Sequence, residues 1–353
     1  MLNNTEALLT RPGKIQIHPA PMPEACGDML LIRVECVGIC GSDIHSFAHG
    51  PYIPPSDPNQ KIGLGHEFSG TVVSVGPQVT AFQPGDRVVC EPGVPCGSCR
   101  FCLSGRYNLC LHMDFMATQP NYRGALTNYL LHPESFTYHL PDQMEMAAGA
   151  LVEPAAVGMH AAELAQAAPG KKVVILGAGY IGLMTMQACL MRGISQIVLV
   201  DLMETRLAMA KRLGASAVVH SGETDPVSAV RDCLHGGADI VFETAGSQTT
   251  AQMAAKLVER GGKIMIVGTI PGETPVNFLS INREITIQTV FRYANTFPKT
   301  IDAIASRRLD VLSPVTRQYD YAEVQTAFEE SLHSKNEIIK SVVHVGPSSP
   351  QFQ

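Results

Sequence analysis

Up to about residue 153 the apolar positions come in short runs of strand length, broken every few residues by Gly or Pro. The clearest are 29–37, 69–75, 87–90 and 128–131. The stretch 79–87 contains Pro84-Gly85-Asp86, a turn signal just ahead of the 87–90 run. Strands and turns at that density predict a compact, barrel-like β domain. After Pro154 the pattern becomes an alternation. An Ala-rich helical stretch at 156–167 leads to a strand at 172–176, a glycine turn and a helix at 180–192. A strand at 196–200, a helix at 204–213 and strands at 217–219 and 238–243 follow. Next come a helix at 249–259, a strand at 263–267 and a last strand near 284–289. Wholly apolar strands separated by helices predict a parallel sheet covered on both faces, the doubly wound α/β arrangement.

From Phe291 the pattern changes again, with helices at 296–306 and 321–331 and a strand at 338–344. This tail is expected to fold back onto the first domain, leaving the central domain inserted and a cleft between the two. The expected boundaries are therefore 1–154, 155–290 and 291–353. The Pro/Ser/Gln-rich end, 346–353, is expected to fray. No internal repeat is evident.

The chain has 353 residues, more than one core usually fills, so two domains agree with the pattern. A net charge of −6 without any basic run argues against a nucleic-acid partner. Apolar runs such as 173–176 and 197–200 are too short to span a bilayer. The first eleven residues lack a charged segment followed by an apolar one, so no secretory signal is read and the cytoplasm is expected. Ten cysteines in such a chain do not suggest a disulfide scaffold, and in a reducing compartment thiols remain free to bind metal. Cys26, Cys36, Cys90, Cys189 and Cys233 are read as small buried apolar residues.

Three constellations carry chemistry. Gly177-Ala178-Gly179-Tyr180-Ile181-Gly182 follows a predicted strand and opens a helix, the context a dinucleotide site requires. Gly177 permits the tight turn, Gly179 lets a pyrophosphate approach the backbone, and Gly182 allows the helix to pack closely. Asp201 ends the next strand, where a carboxylate accepts from ribose hydroxyls and repels a 2′-phosphate, so NAD is preferred over NADP. Arg206 lies nearby, able to stack on adenine or to accommodate a phosphate. The second set, Cys96, Cys99, Cys102 and Cys110, falls within fifteen residues. Four thiolates fill every position of a tetrahedral zinc and leave none for substrate, which marks a structural site. The third set is Cys40, His66, Glu67 and Glu153. Three protein ligands with a fourth position open match a catalytic zinc.

These residues at these spacings resemble the zinc-containing medium-chain dehydrogenases over almost the full chain. Gly65-His66-Glu67-x-x-Gly70, with Gly76 and Val79, fits that family's zinc signature. Residues 150–160, Phe291-Arg292-Tyr293-Ala294-Asn295-Thr296 and the segment around Asp201 are similar to the polyol (sorbitol/xylitol) dehydrogenase branch. The resemblance implies a GroES-like, β-rich catalytic domain joined to a doubly wound Rossmann coenzyme domain, an α/β architecture. It implies that Cys40, His66 and Glu153 bind the catalytic zinc, with Glu67 holding a metal-bound water or exchanging as a ligand. A carboxylate in place of the second Cys of alcohol dehydrogenases is shared with the polyol branch. Ser42 and His45 are spaced as the family's proton relay. Arg292 and Tyr293, with Tyr52 and Phe115, are the expected substrate-pocket residues, supplying polar partners that a simple alkanol would leave unpaired. The implied reaction is reversible oxidation of a polyol to a ketose with hydride transfer to NAD, in a homo-oligomer, dimer or tetramer. Competing readings are a zinc dehydrogenase for threonine or for a sugar-alcohol phosphate, and a non-catalytic protein binding NAD and zinc.

Overall fold

The computed structural model describes residues 3–57 and 59–346. Residues 347–353, most of the end expected to fray, lie outside the described residues. The chain forms two compact units. One comprises Met1–Glu153, Phe297–Ala305 and Val311–Gln353; the other comprises Pro154–Thr296 and Ser306–Asp310.

The first unit is β-rich. Its largest sheet runs Thr137–His139, Arg87–Cys90, Glu67–Val75, Met29–Gly38, Lys340–His344 and Val315–Asp320, and Tyr129–Pro133 also pairs with Met29–Gly38. Met29–Gly38 is central because its apolar side chains can be covered on either face: Leu30, Ile32, Val34 and Val37 are all fully buried. Lys340–His344 pairs antiparallel with it, Val343 facing Val37, so a C-terminal strand completes the sheet that the N-terminal segments begin. Phe47 and Phe328 meet at 5.5 Å between ring centroids in the core beside it. Burying each contributes roughly 1.5–3 kcal/mol.

Three elements of this unit carry weak sequence signals. The hairpin Asn4–Arg11 with Lys14–Ala20 mixes charged and apolar positions and turns at Gly13, whose φ is 76°. Helix Gly41–His49 starts at Cys40, where the Asp43 carboxylate accepts from the Cys40 N–H at 3.1 Å. Strand Val315–Asp320 alternates with polar residues and is visible only once its parallel partner Lys340–His344 is in place.

The second unit holds a six-stranded parallel sheet in the order Ala217–His220, Gln196–Asp201, Lys172–Leu176, Ala238–Glu243, Val258–Ile266, Thr286–Thr289. Chain order 3-2-1-4-5-6 is the doubly wound topology, with its switch point beside Lys172–Leu176. Two elements depart most from expectation. Strand Val258–Ile266 begins five residues early, through a register irregularity opposite Ala238/Ile240. Helix Pro226–Leu234 was not anticipated, although Pro at its first turn and the Asp225 carboxylate accepting from the Ser228 N–H at 2.9 Å are ordinary start signals. Among the described residues no helix is long and apolar enough to cross a membrane.

The free cysteines divide. Burial pushes the thiols of Cys36 and Cys189 up to about 12 and that of Cys90 further, as expected of inert packed residues. Cys26 and Cys233, expected to be buried, are exposed instead. Cys26 lies in the loop ahead of strand Met29–Gly38, and Cys233 lies on the outward side of helix Pro226–Leu234, whose Val230 and Leu234 face the core instead.

Candidate functional site

In the first unit, ligand atoms of Cys40, His66 and Glu67 lie within 4.8 Å of one another. Cys40 stands at the start of helix Gly41–His49, and His66 and Glu67 stand where strand Glu67–Val75 begins. Two elements distant in sequence thus converge on one point. Sequence reasoning missed the residue that holds them together, Asp43. Buried at the helix start, it accepts from the N–H groups of Cys40 and Gly65, and its Oδ1 lies 3.6 Å from His66 Nδ1. A carboxylate on Nδ1 orients the imidazole and leaves Nε2 for a cation. Burial alone would disfavour a charged His66, but Asp43 and Cys40 outweigh it and hold its pKa well above the ordinary value. The same pairing draws the Asp43 carboxyl down against its own burial. A site that raises the proton affinity of a buried imidazole this way is one that favours a cation. The residues present therefore fit a divalent metal.

Glu67 has a second buried partner that sequence reasoning missed. Lys340 Nζ lies 2.7 Å from Glu67 Oε1 and 2.5 Å from Oε2, and donates to the Ile39 carbonyl at 2.9 Å. Gly38 makes room, since a Cβ there would collide with Glu67 Oε2. A lone charged residue in the largely apolar stretch Ile338-Ile339-Lys340-Ser341-Val342-Val343 was the available signal. Glu153 is buried in the first turn of helix Val152–Leu164 but is not part of the compact Cys40/His66/Glu67 set. Its charge is felt by Glu91, whose carboxyl is pushed up to about 7, chiefly by burial.

Of the expected relay, Ser42 is exposed and His45 half-buried, three residues apart on one helix and so on a shared face. Tyr52 lies flat on His45, with centroids 3.7 Å apart and planes 2° from parallel. Burial, then neighbouring His49, lowers the proton affinity of His45. The Tyr52 hydroxyl is shifted upward by burial and by Cys40, which places this ring beside the cysteine ligand. Phe115 is buried, its ring centroid 5.5 Å from that of His66.

Cys96, Cys99, Cys102 and Cys110 form a second group whose sulfurs all lie within 4.8 Å. Backbone N–H groups point into it: Cys96 and His112 both donate to Cys110 Sγ, at 3.2 and 3.3 Å. Hydrogen bonds from Ser98 and Cys99 bring the Cys96 thiol down to about 6, while burial and its thiol neighbours push Cys102 up to about 12. Four sulfurs competing for protons, with amides stabilising a thiolate, fit a tetrahedral zinc.

The second unit carries the glycine turn. Gly177 has φ 101°, and a Cβ there would press on Ala245. At Gly182 a Cβ would collide with the Gly177 carbonyl, so the helix Tyr180–Met191 can approach only without one. Above Gly179 a Cβ would meet only Arg206 Nη1, at 3.8 Å, which leaves the open approach a pyrophosphate needs. Tyr180 and Ile181 begin the helix. The Asp201 carboxylate accepts from the N–H groups of Ala178, Leu202 and Met203 at 2.7, 2.7 and 2.9 Å, tying the second strand to the turn. The turn thus fits a dinucleotide. Tyr293 is buried in this unit, and the half-buried Arg292, with φ 52°, stacks its guanidinium over Phe291 at 4.8 Å.

Comparison with known proteins agrees with both units. Residues 27–142 match the alcohol dehydrogenase GroES-like domain, and residues 181–306 match the zinc-binding dehydrogenase domain. An uncharacterized zinc-type alcohol dehydrogenase-like protein of Escherichia coli is 61% identical over 98% of this chain and 99% of its own length. Sorbitol dehydrogenase of Bacillus subtilis is 40% identical over 97% of each chain. The crystal structure of a putative zinc-binding dehydrogenase from Sinorhizobium meliloti, bound to NADP, superposes with a TM-score of 0.90 at 29% identity, covering 98% of this chain and 100% of that one. Two metal-ligand sets on a GroES-like unit and a glycine turn on a doubly wound sheet, at this level of identity, have one reading: the chain belongs to the zinc-containing medium-chain dehydrogenases, in the polyol dehydrogenase branch.

Proposed function

We propose that the protein oxidises a secondary hydroxyl of a polyol such as sorbitol or xylitol to the ketose, reversibly, using NAD. The observation that carries this reading is the Cys40/His66 pair backed by buried carboxylates, in a chain 40% identical to a sorbitol dehydrogenase. Cys40, His66 and Glu153 would hold the catalytic zinc, and Cys96, Cys99, Cys102 and Cys110 the structural one. Lys340 neutralises Glu67 and keeps its carboxylate beside the metal ligands as a reserve oxygen donor. When bound, zinc supplies Lewis-acid polarisation of the substrate hydroxyl, and the nicotinamide accepts the hydride.

The chain's own groups do the rest. Ser42 and His45 carry the hydroxyl proton outward; Tyr52 stacks flat on the imidazole, and burial, then His49, lowers its proton affinity. Tyr52 and Phe115 of the first unit, and Arg292 and Tyr293 of the second, are the residues proposed to contact substrate. Asp201 selects NAD by accepting from the adenosine ribose. Although the Sinorhizobium meliloti protein is bound to NADP, an anion at this position disfavours a 2′-phosphate. The reduced thiol clusters suit the cytoplasm. Strand Thr286–Thr289, an exposed sheet edge preceded by the exposed Phe278 and Leu279, supports a homo-oligomer formed with a second copy, which sedimentation would show as a dimer or tetramer.

The test is a panel of sorbitol, xylitol, ribitol, galactitol and threonine with NAD and NADP, with and without a chelator. NAD-linked, chelator-sensitive turnover of a polyol is expected. Glu153→Ala should still bind NAD and lose nearly all turnover. Oxidation of polyols by that variant at the parental rate overturns the assignment.

A further inference from the structure

All four lobe cysteines lie on one excursion of the chain, between the short strands Gly93–Val94 and Asp114–Phe115. These strands form a two-residue ribbon at its base, Gly93 opposite Phe115 and Val94 opposite Asp114, and Met116 N–H donates to the Pro92 carbonyl at 3.1 Å just beyond it. The Phe115 ring lies across the ribbon: a Cβ on Gly93 would stand 3.0 Å from it. That ring is the one 5.5 Å from the ring of His66. A metal-ligand imidazole therefore packs on a residue whose place is set where the cysteine excursion leaves and rejoins the body.

The excursion has little apolar interior to hold it; Leu103 and Leu111 are 76% and 64% exposed. A polar anchor for it is Glu91, only 2% exposed and two residues before the ribbon. Glu91 Oε2 accepts from the Tyr107 hydroxyl at 3.1 Å and from the Tyr138 hydroxyl at 3.3 Å. Tyr107 belongs to the excursion, in the turn Tyr107–Leu109 between Cys102 and Cys110; Tyr138 belongs to the sheet strand Thr137–His139. The Tyr107 ring also meets Phe136 edge-on at 5.8 Å, and the Phe136 carbonyl accepts the Glu91 N–H at 2.8 Å. One buried carboxylate thus clasps excursion and sheet together next to the ribbon.

We propose that Glu91 is a positioning residue: held by Tyr107 of the cysteine excursion and Tyr138 of the sheet, it fixes the ribbon base and so the packing of Phe115 on His66, coupling order in the four-cysteine lobe to geometry at Cys40 and His66. The coupling rests on the metal reading above, but not on the identity of the substrate.

The test uses the full-length zinc protein, stripped at the open site with dipicolinate, which attacks an open site before a closed four-thiolate one. One zinc per chain should remain, and the open site is reloaded with Co2+. Absorption of the bound Co2+ and its affinity are compared in the parent, Glu91→Leu, Glu91→Gln and Tyr107→Phe. Loss of the clasp should shift the Co2+ ligand-field bands and weaken Co2+ binding about tenfold in Glu91→Leu and Tyr107→Phe, with lobe zinc retained. Glu91→Gln, which keeps an acceptor for the hydroxyls, should remain near the parent. Should Glu91→Leu not fold, Tyr107→Phe carries the test, since it deletes one hydroxyl from a half-buried ring. Lower thermal stability with unchanged Co2+ bands and affinity makes Glu91 merely structural and overturns the coupling. A parent that takes up no Co2+ at the open site overturns the metal reading itself.

Discussion

Replacing Lys340 by Met strands a buried carboxylate. Glu67 is 1% exposed, and the ammonium group within 2.7 Å of both its oxygens is the cation placed against it. At an effective dielectric of about 20 the pair attracts by roughly 6 kcal/mol at this separation, and much of that offsets the cost of taking both charges out of water. Removing one partner exposes that cost, about 3–5 kcal/mol. The Ile39 carbonyl loses its donor as well. For a unit of this size each kcal/mol moves the midpoint by about 2–4 °C, so metal-free Lys340→Met should unfold its first calorimetric transition about 10 °C early. Glu67→Gln in the Lys340→Met background should recover most of the loss, because the uncompensated charge is gone. Added zinc should also recover part of it in the single variant, by supplying a positive charge next to Glu67. A loss under about 1 kcal/mol, or a double variant that simply sums the two single effects, refutes the argument that this pair neutralises Glu67.

Three further outcomes follow from the same geometry. His132 is buried, and desolvation lowers its pKa from 6.5 to about 4. The unfolded chain takes up the proton first, so its contribution is present above pH 6.5 and is lost as pH falls through 4. Unfolding free energies of parent and His132→Gln from urea titration should therefore diverge by about 3 kcal/mol between pH 7 and 4, and parallel pH profiles would refute this. Exchanging Asp201 for Ala removes the acceptor shared by three backbone N–H groups at the turn; calorimetric titration should show NAD affinity down about tenfold or more and NADP affinity changed less. In Cys102→Ser, metal analysis should find one zinc fewer per chain while NAD still binds, because lobe and glycine turn belong to different units.

Much of this protein was legible in one dimension because its signals are local. Strands Lys172–Leu176 and Gln196–Asp201 are apolar along 173–176 and 197–200 since helices cover both faces of their sheet, and the glycine turn between strand and helix is written in six consecutive residues. The four cysteines are also a local pattern, as their ligand geometry closes within one excursion of the chain. What the sequence left open is whatever depends on two distant segments meeting. Strand Val315–Asp320 alternates too weakly to be read without its partner, and which side of helix Pro226–Leu234 turns outward, leaving Cys233 exposed, is set by the core that Val230 and Leu234 join. Asp43 is three residues from Cys40, yet its work is done on His66; Lys340 lies 273 positions from the Glu67 it neutralises. Ligand identity is a matter of residue type and spacing, which a sequence states. The field and the packing that tune those ligands depend on distances across the fold, and only the folded chain sets them.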